Sequence, residues 1–280
     1  MTYREYLANE PVIVTAALTG GVHGKEANPN LPETPAEIGA AAADAVAAGA
    51  AVVHVHARED SGERSLSTER FQAIDDAIRD RVDDVIIQHS TGATGVPEAR
   101  RHHPLRTDPP PEMASLDMGP LNRYQHLTSE NTRGLIDSLH AEMVDRNIKP
   151  ELEVFNDGHL AEVHALLDRR DLADPVYATL IFGGGTVTRA RPRNLMNAIS
   201  NLPEDAIFNT LGFGRHQLPF ATLGLLLGGQ VRVGLEDNVY YAAGELATSS
   251  AQLVDRVTTL AKTLGRPVAT PATARDILGL

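Results

Sequence analysis

With 280 residues, 42% of them hydrophobic, the chain is long enough to bury a large core and reads as one α/β domain spanning 1–280. A formal net charge of -12 and the lack of tryptophan argue against a phosphate-backbone or base-stacking surface, so no nucleic-acid partner is expected. With no cysteine there is no disulfide, thiolate metal site or cysteine nucleophile, and any metal must be held by histidine and carboxylate.

Short β-rich runs alternate with longer helix-like runs along the chain. The first strand is "PVIVTAALTG" (11–20), and the helix after it begins with Thr34 as N-cap, Pro35 at the first helical position and Glu37 near the capping-box position. The second strand, "AAVVHVHA" (50–57), precedes the helical pattern "STERFQAIDDAIRDRV". Next come "DVIIQHSTG" (84–92), "MASLDMG" (113–119), "PELEVFN" (150–156), "PVYATLIFGG" (175–184), "AIFNTLGFG" (206–214) and "QVRVGLEDN" (230–238). A last long helix, "SSAQLVDRVTTLAKTLG", stops at Gly265. Eight β/α alternations in this length predict a TIM (β/α)8 barrel; a doubly wound open sheet is the other reading of the same pattern. No linker or composition break divides the chain. No stretch approaches the ~20 apolar residues of a membrane span, and "MTYREYLANEP" lacks a signal-peptide core, so a cytoplasmic protein without a membrane partner is expected.

Catalytic residues of a barrel fall at the C-terminal ends of its strands. Strand after strand here begins apolar and ends polar, which collects His54, His56, Arg58, Ser90, Ser115, Asp117, Glu153, Arg215, Glu236 and Asp237 at one mouth. His54 and His56 share one face of their strand with Cα atoms about 6.6 Å apart, so both rings can reach one ion. Glu236 is the expected third ligand, because its strand closes the barrel beside the first two. Three protein ligands would leave a position open for substrate, as in a catalytic zinc site. The bland alternative is a pair of histidines bonded to backbone or carboxylates in a packed mouth.

The remaining histidines carry less. His102 and His103 read as a solvated turn or helix end, His140, His159 and His164 as helix-surface residues, and His23 as a loop residue near the mouth. The glycines of "FGGG" (182–185) and Arg215 in "GFGRH" mark a corner suited to an anionic or thioester ligand.

The stretches "TAALTG", "NPNLPETPAEI", "GAAVVHVHARED", "IIQHSTG", "PEMASLDMG", "PELEVF", "GFGRH" and "VRVGLEDN" together resemble the β-keto acid cleavage enzymes, whose best-known member cleaves 3-keto-5-aminohexanoate. The resemblance runs nearly end to end. It implies a TIM barrel with a catalytic divalent metal, usually Zn2+, a homotetramer, and exchange between a β-keto acid and acetyl-CoA that yields acetoacetate and a new acyl-CoA. Metal ligands carry over to His54, His56 and Glu236, in agreement with the strand geometry. The resemblance makes Asp237 the general base and Arg232 the cation that orients it. Ser90, Ser115 and Gly92 become holders of substrate oxygens, and Glu153 a further mouth carboxylate. At the first-loop position where the amino-substrate member has an acid, this chain has Val22, which predicts a neutral, alkyl tail in place of an aminated one. Serine at 115 replaces that member's threonine. Metal-dependent hydrolases and aldolases are rival barrel enzymes. Hydrolases with H-x-H usually add histidines on the fifth and sixth strands, and here those strands have none.

Overall fold

The computed structural model describes residues 11–123, 127–185 and 187–280. The N-terminal stretch read above for a leader lies, apart from Pro11, outside them. Eight parallel strands form a closed barrel: β1 (Val14–Ala17), β2 (Val52–Val55), β3 (Ile86–His89), β4 (Met113–Asp117), β5 (Lys149–Val154), β6 (Tyr177–Phe182), β7 (Ile207–Gly212) and β8 (Gln230–Val233). Each strand pairs with its sequence neighbours, and β1 closes the ring on β8 through Val14 opposite Val231 and Thr15 opposite Arg232. The barrel thus excludes the open sheet.

Helices α1 (Pro35–Ala47), α2 (Thr68–Arg79), α3 (Arg133–Asp145), α4 (Asp157–Arg169), α5 (Pro192–Ser200), α6 (Gln217–Leu226) and α7 (Ser250–Leu264) cover the outside. A last helix, α8 (Pro271–Leu278), packs Ala274 and Leu278 against Ile13, Val52 and Tyr177 at the end away from the mouth. The capping box at Thr34 and Glu37 is present, and α7 ends on Gly265 at φ 83°, a left-handed cap that glycine adopts without strain. The crossover after β3 departs from the pattern. Glu98–Leu105 is a 3-10 helix with Pro104 inside it, since proline lacks the N–H and crowds the preceding turn of an α-helix.

Because side chains alternate along each strand, every second residue points into the barrel. Val53 and Val55 pack outward in the core with α1 and α2 residues, whereas Val52, His54 and His56 point inward. The interior is layered. Ile13, Val52, Ile86, Met113 and Tyr177 form an apolar floor. Above it runs a polar tier of Thr15, His54, Gln88, Ser115, Glu151, Thr179, Asn209 and Arg232, all at or near complete burial. Burying polar groups is tolerable when they bond one another: Thr179 donates to Glu151, and Asn209 Nδ2 donates to Thr179 Oγ1 at 3.1 Å. The mouth lies above this tier.

The strands are shorter than the sequence pattern implied, most visibly at the eighth, where 230–238 becomes Gln230–Val233. Gly234 takes φ +151°, and any Cβ there would run into the Ala17 backbone carbonyl. The chain therefore leaves the sheet at that point and turns across the mouth, with Glu236 N–H donating to Ala17 O at 3.3 Å.

Candidate active site and metal centre

That turn carries Glu236 over the two histidines. A Cβ at Gly20 would lie 2.6 Å from Glu236 Cγ, so the first loop needs glycine there to admit the carboxylate. Glu236 Oε1 is 3.3 Å from His56 Nε2, and Oε2 is 3.7 Å from His54 Nε2. Ligand atoms of all three residues lie within 4.8 Å of one another, a spacing that fits one cation between them. His54 Nδ1–H donates to Gln88 Oε1 at 2.7 Å, which leaves the Nε2 lone pair facing Glu236. Burial pushes the His54 ring down to about 3 and also lowers His56, so both stay neutral, the state a metal needs. Among the described residues, Glu236 Oε2 is buried and accepts no hydrogen bond, as expected of an oxygen reserved for a cation. Burial disfavours the Glu236 charge, but the neighbouring Arg232 guanidinium outweighs it and holds the carboxylate ionised. The donor set of two imidazoles and one carboxylate fits a divalent ion with an open position.

Arg232 rises from the polar tier into this cluster. Its Nε and Nη2 donate to the two Asp237 oxygens at 2.9 and 3.1 Å, and Nη2 also donates to Glu236 Oε1 at 2.7 Å. Nη1 reaches Glu153 Oε1 at 3.4 Å. Burial opposes the guanidinium charge, yet Asp237, Glu236 and Glu153 keep it firmly protonated. Asp237 is itself pushed up to about 7 by burial, which overcomes Arg232. Glu153 is raised well above the carboxylate range, first by burial and then by neighbouring Asp117, with which it shares a hydrogen bond.

Above the cluster opens a pocket of about 600 Å³. Its walls come from the loop after nearly every strand: Gly20, Gly21 and Val22; Arg64; Leu121 and Asn122; Phe155; Gly184, Gly185 and Val187; Phe213; Glu236, with His56 at the base. Of the residues singled out from the sequence, His56, Glu236, Val22 and the glycines Gly184 and Gly185 line it. Val22 stands at the rim, 47% exposed. Asp237, Arg232 and Glu153 lie buried beside it. Ser90 is buried just past β3 and Ser115 midway along β4, in the tier beneath the mouth, and both hydroxyls accept backbone N–H groups: Ser90 Oγ from Gly92 at 3.2 Å, Ser115 Oγ from Thr91 at 3.1 Å. Arg215 is exposed on the turn Gly214–His216, outside the pocket lining.

Two readings need correction. His140 and His159 are 2% and 3% exposed, not surface residues: His140 lies on the buried side of α3, and His159 packs edge-on against Phe155 at 5.7 Å. Arg64 lines the pocket together with Val22, its guanidinium packed against Gly21. Sequence reasoning missed Arg64 and Gln88 alike. The alternation of β3, which puts Gln88 on the same face as Ser90, was a signal for Gln88; nothing comparable marked Arg64.

The profile of the beta-keto acid cleavage enzymes matches residues 11–280. The chain is 41% identical over 272 residues to a 3-keto-5-aminohexanoate cleavage enzyme of Acetoanaerobium sticklandii, covering 97% of this chain and 99% of that one. It is 35% identical over 277 residues to a 3-oxoadipate:acetyl-CoA acetyltransferase of Cupriavidus necator, with 97% and 95% coverage. Among solved structures, apo ObcA superposes with a TM-score of 0.80 at 22% identity over 90% of this chain and 66% of that one, a likeness of fold. Profile, full-length identity and barrel agree that the chain belongs to the beta-keto acid cleavage enzyme family.

Proposed function

We propose that this chain exchanges acyl groups between a β-keto acid and acetyl-CoA at a divalent metal, giving acetoacetate and a new acyl-CoA. The observation that carries the reading is the convergence of His54, His56 and Glu236 at the base of the pocket, with a Glu236 oxygen that accepts no hydrogen bond among the described residues. The full-length relatives act on keto acids by their names, and the Cupriavidus necator protein uses acetyl-CoA.

His54, His56 and Glu236 would hold a divalent ion, zinc in our reading, and such an ion would supply Lewis acidity to the reaction. The chain's own residues do the rest. Asp237, held near neutrality by burial and oriented by the two Arg232 donors, takes the C2 proton of the keto acid; a base with a pKa near the working pH is most effective. Arg232 stays charged throughout and steadies the negative charge that the reaction moves between Asp237 and substrate. Ser90, Gly92 and Ser115 position the substrate's oxygens on the β3 and β4 side of the mouth, and protonated Glu153 donates rather than repels. Gly184 and Gly185 leave room for the thioester arm on the side of the mouth where Arg215 stands. The enolate carbon bonds to the acetyl carbonyl and expels CoA thiolate. The thiolate then attacks the original keto carbon, carbon–carbon cleavage releases acyl-CoA and the acetoacetate enolate, and Asp237 returns its proton to C2 to give acetoacetate.

An aminated tail fits poorly, because Val22 offers it no counter-charge and Arg64 repels it. The same reading treats 1–280 as one domain of a cytoplasmic homotetramer. Metal-loaded protein incubated with acetyl-CoA and a panel of 3-keto acids tests it by chromatography of the CoA esters. A new acyl-CoA matching the acid, with equimolar acetoacetate, is expected; no CoA ester exchange with any acid refutes it.

A further inference from the structure

Arg58 stands two residues beyond His56 at the polar end of the β2 segment, yet it does not line the pocket. The residue is 8% exposed, and its hydrogen bonds among the described residues go to backbone carbonyls: Nη1 donates to Gly62 O at 2.7 Å, and Nη2 to the carbonyls of Gly20 and His23. A guanidinium has several donors in a rigid fork and no acceptor, so it can gather carbonyls from separate segments at once.

The segments it gathers are the first loop and a hairpin. The loop, residues 18–34 between β1 and α1, contains Gly20, Gly21 and Gly24, and glycine-rich backbone loses much entropy on being ordered. Its ends are fastened to the barrel mouth: Leu18 N–H donates to His54 O at 3.1 Å, and Asn28 Nδ2 donates to Val239 O at 3.0 Å and Ala247 O at 2.8 Å. Arg58 fastens the stretch between. Gly62, on the other side of the guanidinium, lies in the turn that joins Ala57–Arg58 to Arg64–Ser65. Arg70 of α2 ties that turn down, reaching Glu59 at 3.1 Å and Asp60 at 2.7 Å. The first loop is thereby strapped, through Arg58, to a hairpin that is itself anchored on a helix.

The strapped backbone bears on Glu236. Gly20, whose carbonyl accepts from Arg58, packs so closely that a Cβ there would come within 2.6 Å of Glu236 Cγ. His54 belongs to β2 and His56 lies just past its end, whereas Glu236 sits in a turn beyond β8, so its aim depends on what packs around it.

We propose that Arg58 is a positioning residue for the metal centre: it holds Gly20 against Glu236 and so keeps the carboxylate directed at the space facing His54 and His56. The inference rests on the reading of the triad as a divalent-metal site.

The experiment compares wild type, Arg58→Met and Arg58→Lys by the Kd for Zn2+, from competition with a chromophoric chelator, and by backbone hydrogen exchange of the metal-free proteins. Arg58→Met should weaken Zn2+ binding by about 10-fold or more, the scale found for residues that orient metal ligands. It should also speed exchange over residues 19–24 while the barrel strands exchange as in wild type, a pattern that general destabilisation does not produce. Arg58→Lys should recover part of both, since an ammonium still reaches a carbonyl but lacks the fork. A folded Arg58→Met with wild-type Zn2+ affinity overturns the inference, as does weakened binding without faster exchange over 19–24. Should Arg58→Met fail to fold, Arg58→Lys decides, and wild-type affinity and exchange in that variant overturn it. Wild type that binds no Zn2+ overturns the triad reading itself, and this inference with it.

Discussion

At the wall beneath the third crossover, His89 is completely buried and both ring nitrogens are engaged: Nδ1–H donates to the Pro104 carbonyl and Nε2 faces Asp75 Oδ1, each at 2.7 Å. Nearby, Glu142 collects Arg106 at 2.7 Å and His102 at 2.6 Å, and Thr68 donates to the His103 carbonyl. Charge there is matched with counter-charge: Asp75 Oδ2, which accepts no hydrogen bond among the described residues, has Arg79 at 3.8 Å. At the mouth the balance is different, with Glu153, Glu236 and Asp237 crowded around the single guanidinium of Arg232 and two neutral imidazoles facing a Glu236 oxygen that has no donor among the described residues. A closed buried network makes a join between elements. An open network with surplus carboxylate and neutral imidazoles needs a cation to complete it, and that deficit marks the site.

Removing a ligand from the open network should have the largest effect. His54→Ala, His56→Ala and Glu236→Gln should each strip most of the divalent metal, measured by elemental analysis, and lower exchange activity by ~10³-fold, since the Lewis acid supplies several kcal/mol. Full metal content in all three would erase the distinction between the two regions.

The closed network should respond in stability rather than chemistry. His89→Leu leaves Asp75 buried with only Arg79 nearby, at 3.8 Å, and should cost about 3–5 kcal/mol in denaturant unfolding while the folded variant keeps its metal. The double substitution His89→Leu/Asp75→Leu should recover much of that loss. Metal loss in His89→Leu would show the two regions to be coupled.

Asp237→Asn separates charge from shape within the mouth. It should retain metal and fold but lower kcat by about 10²-fold, the typical loss on removing a general base. Near-normal turnover would move the base to another carboxylate, with Glu153 the first to test.

The smallest effect belongs to Glu142. Burial raises its pKa, but hydrogen bonds from Arg106 and His102 outweigh burial and hold it at about 2, below the ~4.3 of an unfolded glutamate. Its contribution is therefore complete above the unfolded value and lost as pH falls from about 4 to 2. Glu142→Gln should cost under ~1 kcal/mol at neutral pH, since the cluster is partly solvated, and should flatten the acid limb of stability against pH. An unchanged acid limb would assign that sensitivity to other groups.

The sequence by itself determined the β/α alternation, the capped first helix, the glycine-ended α7 and the polar strand ends, because these follow from local periodicity and backbone propensity. It also named the triad, since H-x-H on a strand puts two rings on one face whatever the fold, and a barrel brings the eighth strand beside the first. Closure of the ring decided the rest. Only with Thr15 opposite Arg232 does the polar tier become one connected layer, and only then does Gln88, separated by 34 residues, meet His54. Short reach hid the end of β8, where the Ala17 carbonyl, far away in sequence, enforces Gly234 and swings Glu236 inward. Arg64 stayed invisible for the same reason. A lone arginine in a charged loop reads as solvated until a hairpin folds it over Gly21 of another strand's loop, and that approach is a long-range contact no local pattern encodes.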